Sequence, residues 1–76
     1  EIFSVFPNPA NDVLTVTPKD KNKNEFKIVD VNGRLIQLIP PGYGTVKADI
    51  NSLDAGIYFI ELNNSKEIFR QKFVKE

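Results

Sequence analysis

Apolar and polar positions alternate with a period of two along nearly the whole chain. That period belongs to strands that bury one face. "EIFSVF" sets Phe3 and Val5 against Ile2 and Phe6, and "DVLTVT" sets Leu14 and Val16 against Val13, Thr15 and Thr17. "EFKIVDV" offers Phe26 and Ile28 on one side and Val29 and Val31 on the other, with Lys27 and Asp30 among them. "RLIQLI" offers Leu35 and Ile39 against Ile36 and Leu38, and "TVKADI" places Val46, Ala48 and Ile50 inward. "GIYFIEL" and "EIFRQKFV" complete the series. In the last of these, Phe69 and Phe73 form the inward face, while Arg70 and Lys72 share the other with Ile68 and Val74. No segment holds a 3.6-residue period with caps. A helix between 51 and 56 is at most a single turn, because Gly56 ends it. The pattern predicts an all-β fold, a small immunoglobulin-like antiparallel β-sandwich of about seven strands.

The turn residues agree. Asn32-Gly33 predicts a type I′ hairpin joining strands 26–31 and 34–39. "NNSKE" at 63–67 predicts a hairpin between the last two strands. "PPGYG" at 40–44 lacks the donors of a central strand and reads as a loop or a crossing between sheets. "PKDKNKN" at 18–24 reads as a solvated loop. Leu53, Gly56 and Tyr58 in "SLDAGIYFIEL" resemble a tyrosine corner, which predicts a Tyr58 hydroxyl bonded to backbone near 52–55.

Composition narrows the function. Seventy-six residues make one small domain, 1–76, with little scaffold for a cleft. Cysteine and histidine are both absent, which removes thiol chemistry, the usual general base and the commonest metal ligand. Ten basic residues balance ten acidic ones, so there is no basic footprint for nucleic acid. No apolar run approaches membrane-spanning length. The absence of methionine suggests a piece cut from a longer protein. Asp12, Asp30, Asp49, Asp54, Glu61 and Glu67 are candidate acid–base carboxylates, but most alternate outward or sit in turns. Asn8, Asn11 and Asp12 include only one carboxylate and suit local turn bonds better than a calcium site. No phosphate loop or nucleophile set occurs. The reading is therefore of a non-enzyme without cofactor or metal.

Four segments stand in order: "FPNPANDVLTV", "IVDVNGRLI", "SLDAGIYFIEL" and "KFVK". Together they resemble the C-terminal sorting domain of cargo proteins of the type IX (Por) secretion system of Bacteroidota. The matching positions are Pro7, Asn8, Pro9 and Asp12; Asp30, Gly33 and Arg34; Leu53, Gly56 and Tyr58; and Lys72, Phe73, Val74 and Lys75. Glu76 departs from the basic or apolar ending usual in that family. The resemblance implies a secretion signal that takes a cargo, fused ahead of it in the same chain, from the periplasm through an outer-membrane translocon. It further implies removal by a sortase-like surface peptidase, with the cargo anchored at the cell surface or released. It implies no nucleic acid and no membrane insertion. The terminal strand, 67–75, is the expected translocon-facing element, with Arg34 second. Deleting 72–76 is expected to leave the cargo folded but stranded in the periplasm. The competing reading is a fibronectin-like or carbohydrate-binding accessory module of a secreted enzyme, for which Tyr43 is the candidate contact.

Overall fold

The computed structural model describes residues 2–63 and 67–76. Among these residues nine strands follow one another: β1 (Phe3–Phe6), β2 (Val13–Pro18), β3 (Lys23–Asn24), β4 (Phe26–Asp30), β5 (Leu35–Leu38), β6 (Gly42–Tyr43), β7 (Val46–Asp49), β8 (Gly56–Asn63) and β9 (Ile68–Lys75). Seven of them have four residues or more, as the period-two pattern predicts, and there is no helix among the described residues. They form a three-stranded sheet, β1-β2-β7, and a four-stranded sheet, β5-β4-β8-β9. All strand pairs are antiparallel. The two remaining strands are only two residues long and pair with each other, so the loops around 18–24 and 40–44 are tied together as a small ribbon. The β5–β6–β7 path is the expected crossing from one sheet to the other.

The inward faces are those that alternation selects. Leu14, Val16, Phe26, Ile28, Ile60 and Phe73 have essentially no exposed surface, and Ala48 and Ile50 join them. The sheets meet edge-to-face at Phe3 and Phe26, whose ring centroids lie 5.2 Å apart. Alternation fails in two ways: Val29 on β4 and Glu61 on β8 are buried on the opposite face as well, and on β5 Leu35, Ile36 and Leu38 are exposed, with only the following Ile39 buried. A register shift between Ile28 and Val29 in the β4–β5 ladder accompanies this, at the outer edge of the four-stranded sheet. In the 18–24 loop the lysines are solvated, but Asn24 is buried, donating its amide to the Asp20 carboxylate at 2.9 Å and the Asn22 carbonyl at 3.1 Å.

The β4–β5 strands pair directly, but not through a type I′ turn. Gly33 N–H donates to Asp30 O at 2.9 Å and Asp30 N–H to Arg34 O at 3.0 Å, enclosing residues 31–33. Gly33 has φ +80° and among the described residues no non-glycine residue has positive φ, so Asn32 does not supply the second left-handed position that type I′ needs. The geometry is that of a three-residue loop with a glycine bulge. The cause is Asp30, whose carboxylate accepts the N–H groups of Asn32 and Arg34, both at 2.9 Å. This bracing leaves one left-handed position, which glycine fills at little conformational cost. A Cβ at Gly33 would meet nothing nearer than Arg70 Nη2 at 4.0 Å, so space is not limiting. Gly33→Ala is thus expected to destabilise by about 1–2 kcal/mol through backbone strain alone. A urea denaturation midpoint that does not move would overturn that account.

The same bonds hold the Asp30 carboxyl below the ordinary aspartate range, the Arg34 backbone N–H being the largest cause. A carboxyl depressed in the folded state adds stability above its unfolded pKa and loses it as the pH falls through the folded value. The hairpin contribution is therefore expected to fade below about pH 4. Asp30→Asn should flatten the acid limb of the stability curve. An unchanged limb in thermal melts between pH 5 and 2 would remove Asp30 from the explanation.

Candidate functional site

Strand β9 forms one outer edge of the four-stranded sheet and pairs with β8 over its whole length, from Gly56↔Lys75 to Asn63↔Ile68. The predicted "NNSKE" hairpin between them includes residues 64–66, which lie outside the described residues. Antiparallel ladders turn alternate residues outward. On β9 the outward set includes Val74, whose N–H and C=O both bond away from β8.

Their partners come from the other end of the chain. The Asn8 side-chain oxygen accepts the Val74 N–H at 3.0 Å, and the Asn8 amide donates to the Lys72 carbonyl at 3.5 Å. Ala10 continues the contact through its backbone: its N–H donates to Val74 O at 2.8 Å, and its carbonyl accepts the Glu76 N–H at 2.9 Å. Ala10 and Lys75 thus form a parallel bridge. The Pro-Asn-Pro segment is a clasp on the last turn-free residues of the chain, 64–66 positions away. For Asn8 this replaces the expected local turn bonds. Its flanking bonds, Phe6-Pro7 and Asn8-Pro9, are both cis. Pro7 and Pro9 lack the N–H that would compete for the same acceptors. Periodicity carries no signal for such a contact, because a single asparagine makes it across the fold.

The other positions singled out in the sequence fall into two groups. Lys72, Arg34, Gly33, Asp12, Pro7, Asn8 and Pro9 are exposed. Phe73 is fully buried, Lys75 is buried with its Nζ donating to Glu76 O at 3.0 Å, and Val74 is half-buried. Leu53 and Tyr58 pack against the core. The Tyr58 hydroxyl donates to the Asp54 carbonyl at 2.7 Å, which is the corner predicted from the spacing. Its ring stacks on Phe73 at 5.7 Å. Tyr58→Phe is expected to lower stability by about 1 kcal/mol, since the carbonyl it leaves is open to water. Calorimetry showing no loss would make the corner incidental.

Arg34 lies at the hairpin tip, its Nε donating to Asp30 at 3.2 Å while most of its side chain stays in solvent. A second ionic group was not evident from spacing alone. Glu61 is buried between Lys27 and Arg70, at 3.5 Å and 2.8 Å. The three stand side by side in register across β4, β8 and β9. That alignment is the signal that strand pairing, once known, provides. Among the described residues no group of three or more acidic side chains is placed to hold a metal ion. Tyr43, the candidate sugar contact, stands exposed on the two-residue ribbon.

What the arrangement supplies is a surface. It is a strand edge, fastened at one end by the opening motif, with Lys72 exposed beside it. A family model described as the secretion system C-terminal sorting domain matches residues 4–76. No curated protein matches the chain.

Proposed function

The chain belongs to the C-terminal sorting domains of the type IX secretion system, and from that membership we propose that it works as a non-catalytic label read at strand β9. The family is one of sorting signals, and such a signal implies interaction with the secretion system and export to the cell surface or beyond it. In the proposed scheme the domain ends a longer secreted chain and carries a cargo ahead of it. It passes that cargo to the outer-membrane translocon. A sortase-like peptidase then removes the label, and the cargo is anchored or released.

The observation that supports this reading is the meeting of the opening and closing motifs at one edge, with Asn8 bonded to Val74 at 3.0 Å and Ala10 bridged to Lys75. Two segments so far apart in sequence form one surface only in the folded domain. Lys72 beside that edge and Arg34 at the hairpin tip are the proposed charged contacts. Of the terminal motif, Phe73 and Lys75 act through the fold.

The test is a fusion of 1–76 behind a fluorescent protein that carries an export signal, in a host with a working type IX system. Delivery to the surface or medium that is lost when the translocon is removed is the expected result. Retention in the periplasm of a folded fusion sinks the proposal.

A further inference from the structure

Resting on the reading of β9 as the recognised strand, we propose that the open part of its edge, 68–72, receives an extended segment of the secretion machinery in which apolar and acidic residues alternate. The edge already takes one such addition within the molecule. Ala10 lies on it as a one-residue parallel strand, using Val74 O and Glu76 N–H. By the alternation of the ladder, the outward backbone groups of Ile68 and Arg70 and the N–H of Lys72 continue the same row, the Lys72 carbonyl being taken by the Asn8 amide. Among the described residues no strand lies beside them.

The chemistry of the partner follows from what borders that row. On the inner side, a groove of about 300 Å³ runs between Ile2 and Phe3 at the start of β1 and Phe69, Arg70 and Gln71 of β9. An added strand would send every second side chain into it, beside the Phe69 ring. On the outer side the neighbours are Ile68, Arg70 and Lys72. Arg70 already bonds Glu61, yet half of its side chain remains exposed. Opposite charges in adjacent strands are favourable and like charges are not. Acidic side chains on the outer face of the incoming strand therefore fit. A second copy of β9 would set these cations against their own kind, which disfavours self-pairing.

The opposite edge of the sheet differs in charge: a groove also lies beside Leu38, but Glu25 lines it together with Lys27, which disfavours an acidic strand there. Strand β5 presents Leu35, Ile36, Gln37 and Leu38, with no cation. Its seam with the other sheet is bridged by Gln37 Nε2 donating to Asp49 O at 2.9 Å.

The probe is a soluble peptide of alternating valine and aspartate, titrated into the ¹⁵N-labelled 76-residue chain, with a valine–lysine peptide as comparison. Binding of the acidic peptide is expected to slow exchange of the Ile68, Arg70 and Lys72 amides at least tenfold, with the lysine peptide inactive. Arg70→Pro, which removes one outward donor, should abolish it, and Ile68→Pro serves if that variant melts early. Charge reversal at Arg70 and Lys72 should exchange the two peptides' roles. Protection by both peptides alike, by neither at millimolar concentration, or at β5 instead, overturns the proposal. So does a dimer in sedimentation that masks the same amides. Delivered fusion without peptide binding rejects this inference alone. Peptide binding without delivery rejects the sorting role of the edge.

Discussion

Phe73→Ala is expected to bring the domain to the margin of unfolding. Phe73 has no exposed surface and stacks on Tyr58 at 5.7 Å, at the point where the corner, β8 and β9 meet. Truncating a buried phenylalanine costs about 3–5 kcal/mol. A chain of 76 residues holds on the order of 4–11 kcal/mol in total, at ~0.05–0.15 kcal/mol per residue. A urea titration followed by circular dichroism measures the loss directly; one under about 1.5 kcal/mol would mean that the pocket collapses around alanine. Delivery of a fused cargo should fail as a consequence of unfolding. Lys72→Ala is the informative contrast. Lys72 is exposed on the same strand, so its loss should leave the melting curve unchanged, and any fall in delivery then reports contact with the machinery.

The same geometry changes the meaning of a tail deletion. Removing 72–76 takes away two lysines, but it also removes Phe73 from the core and the residues that pair with Gly56, Ile57, Tyr58 and Phe59. A stranded cargo after that deletion is compatible with an unfolded label as well as an unread one. Point changes at exposed positions separate the two.

How far the sequence reaches is clear from particular residues. The alternation in "TVKADI" and "DVLTVT" places Leu14, Val16, Ala48 and Ile50 inside, as the structure does, because one buried face fixes the register of a strand. The Tyr58 corner was legible because its partner, Asp54, lies four residues upstream. Strand β5 misled, since a run of leucine and isoleucine looks the same whether the strand is central or at an edge. The Asn32-Gly33 dipeptide marks the place of the turn but not its type, because Asp30 acts through backbone N–H groups that no dipeptide rule counts. The buried Glu61 needed strand order before its two cations became neighbours. The family's motif spacing marked Asn8 and Val74 separately. Nothing in either motif says that they touch.

Asn8→Ala should therefore have an effect out of proportion to an exposed polar residue. It removes the acceptor of the Val74 N–H and the donor to Lys72 O. Those bonds align Ala10, whose own pair of backbone bonds holds Val74 and Glu76. The expected loss in global stability is about 1 kcal/mol, the usual net worth of one such bond. Locally the change is larger, because the end of β9 frays toward solvent once the clasp opens, as unfastened chain ends do. Exchange of the Val74 and Glu76 amides should accelerate at least tenfold, while the Ile60 amide in the core is little affected. Asn8→Asp keeps an acceptor for Val74 and should retain most of the protection. If the machinery reads β9 as an ordered edge, delivery falls with Asn8→Ala and survives with Asn8→Asp. Frayed amides with normal delivery would mean that the opening motif serves the fold alone. Equal failure of both variants, with the Val74 amide protected in the aspartate form, would instead make Asn8 a direct contact of the machinery.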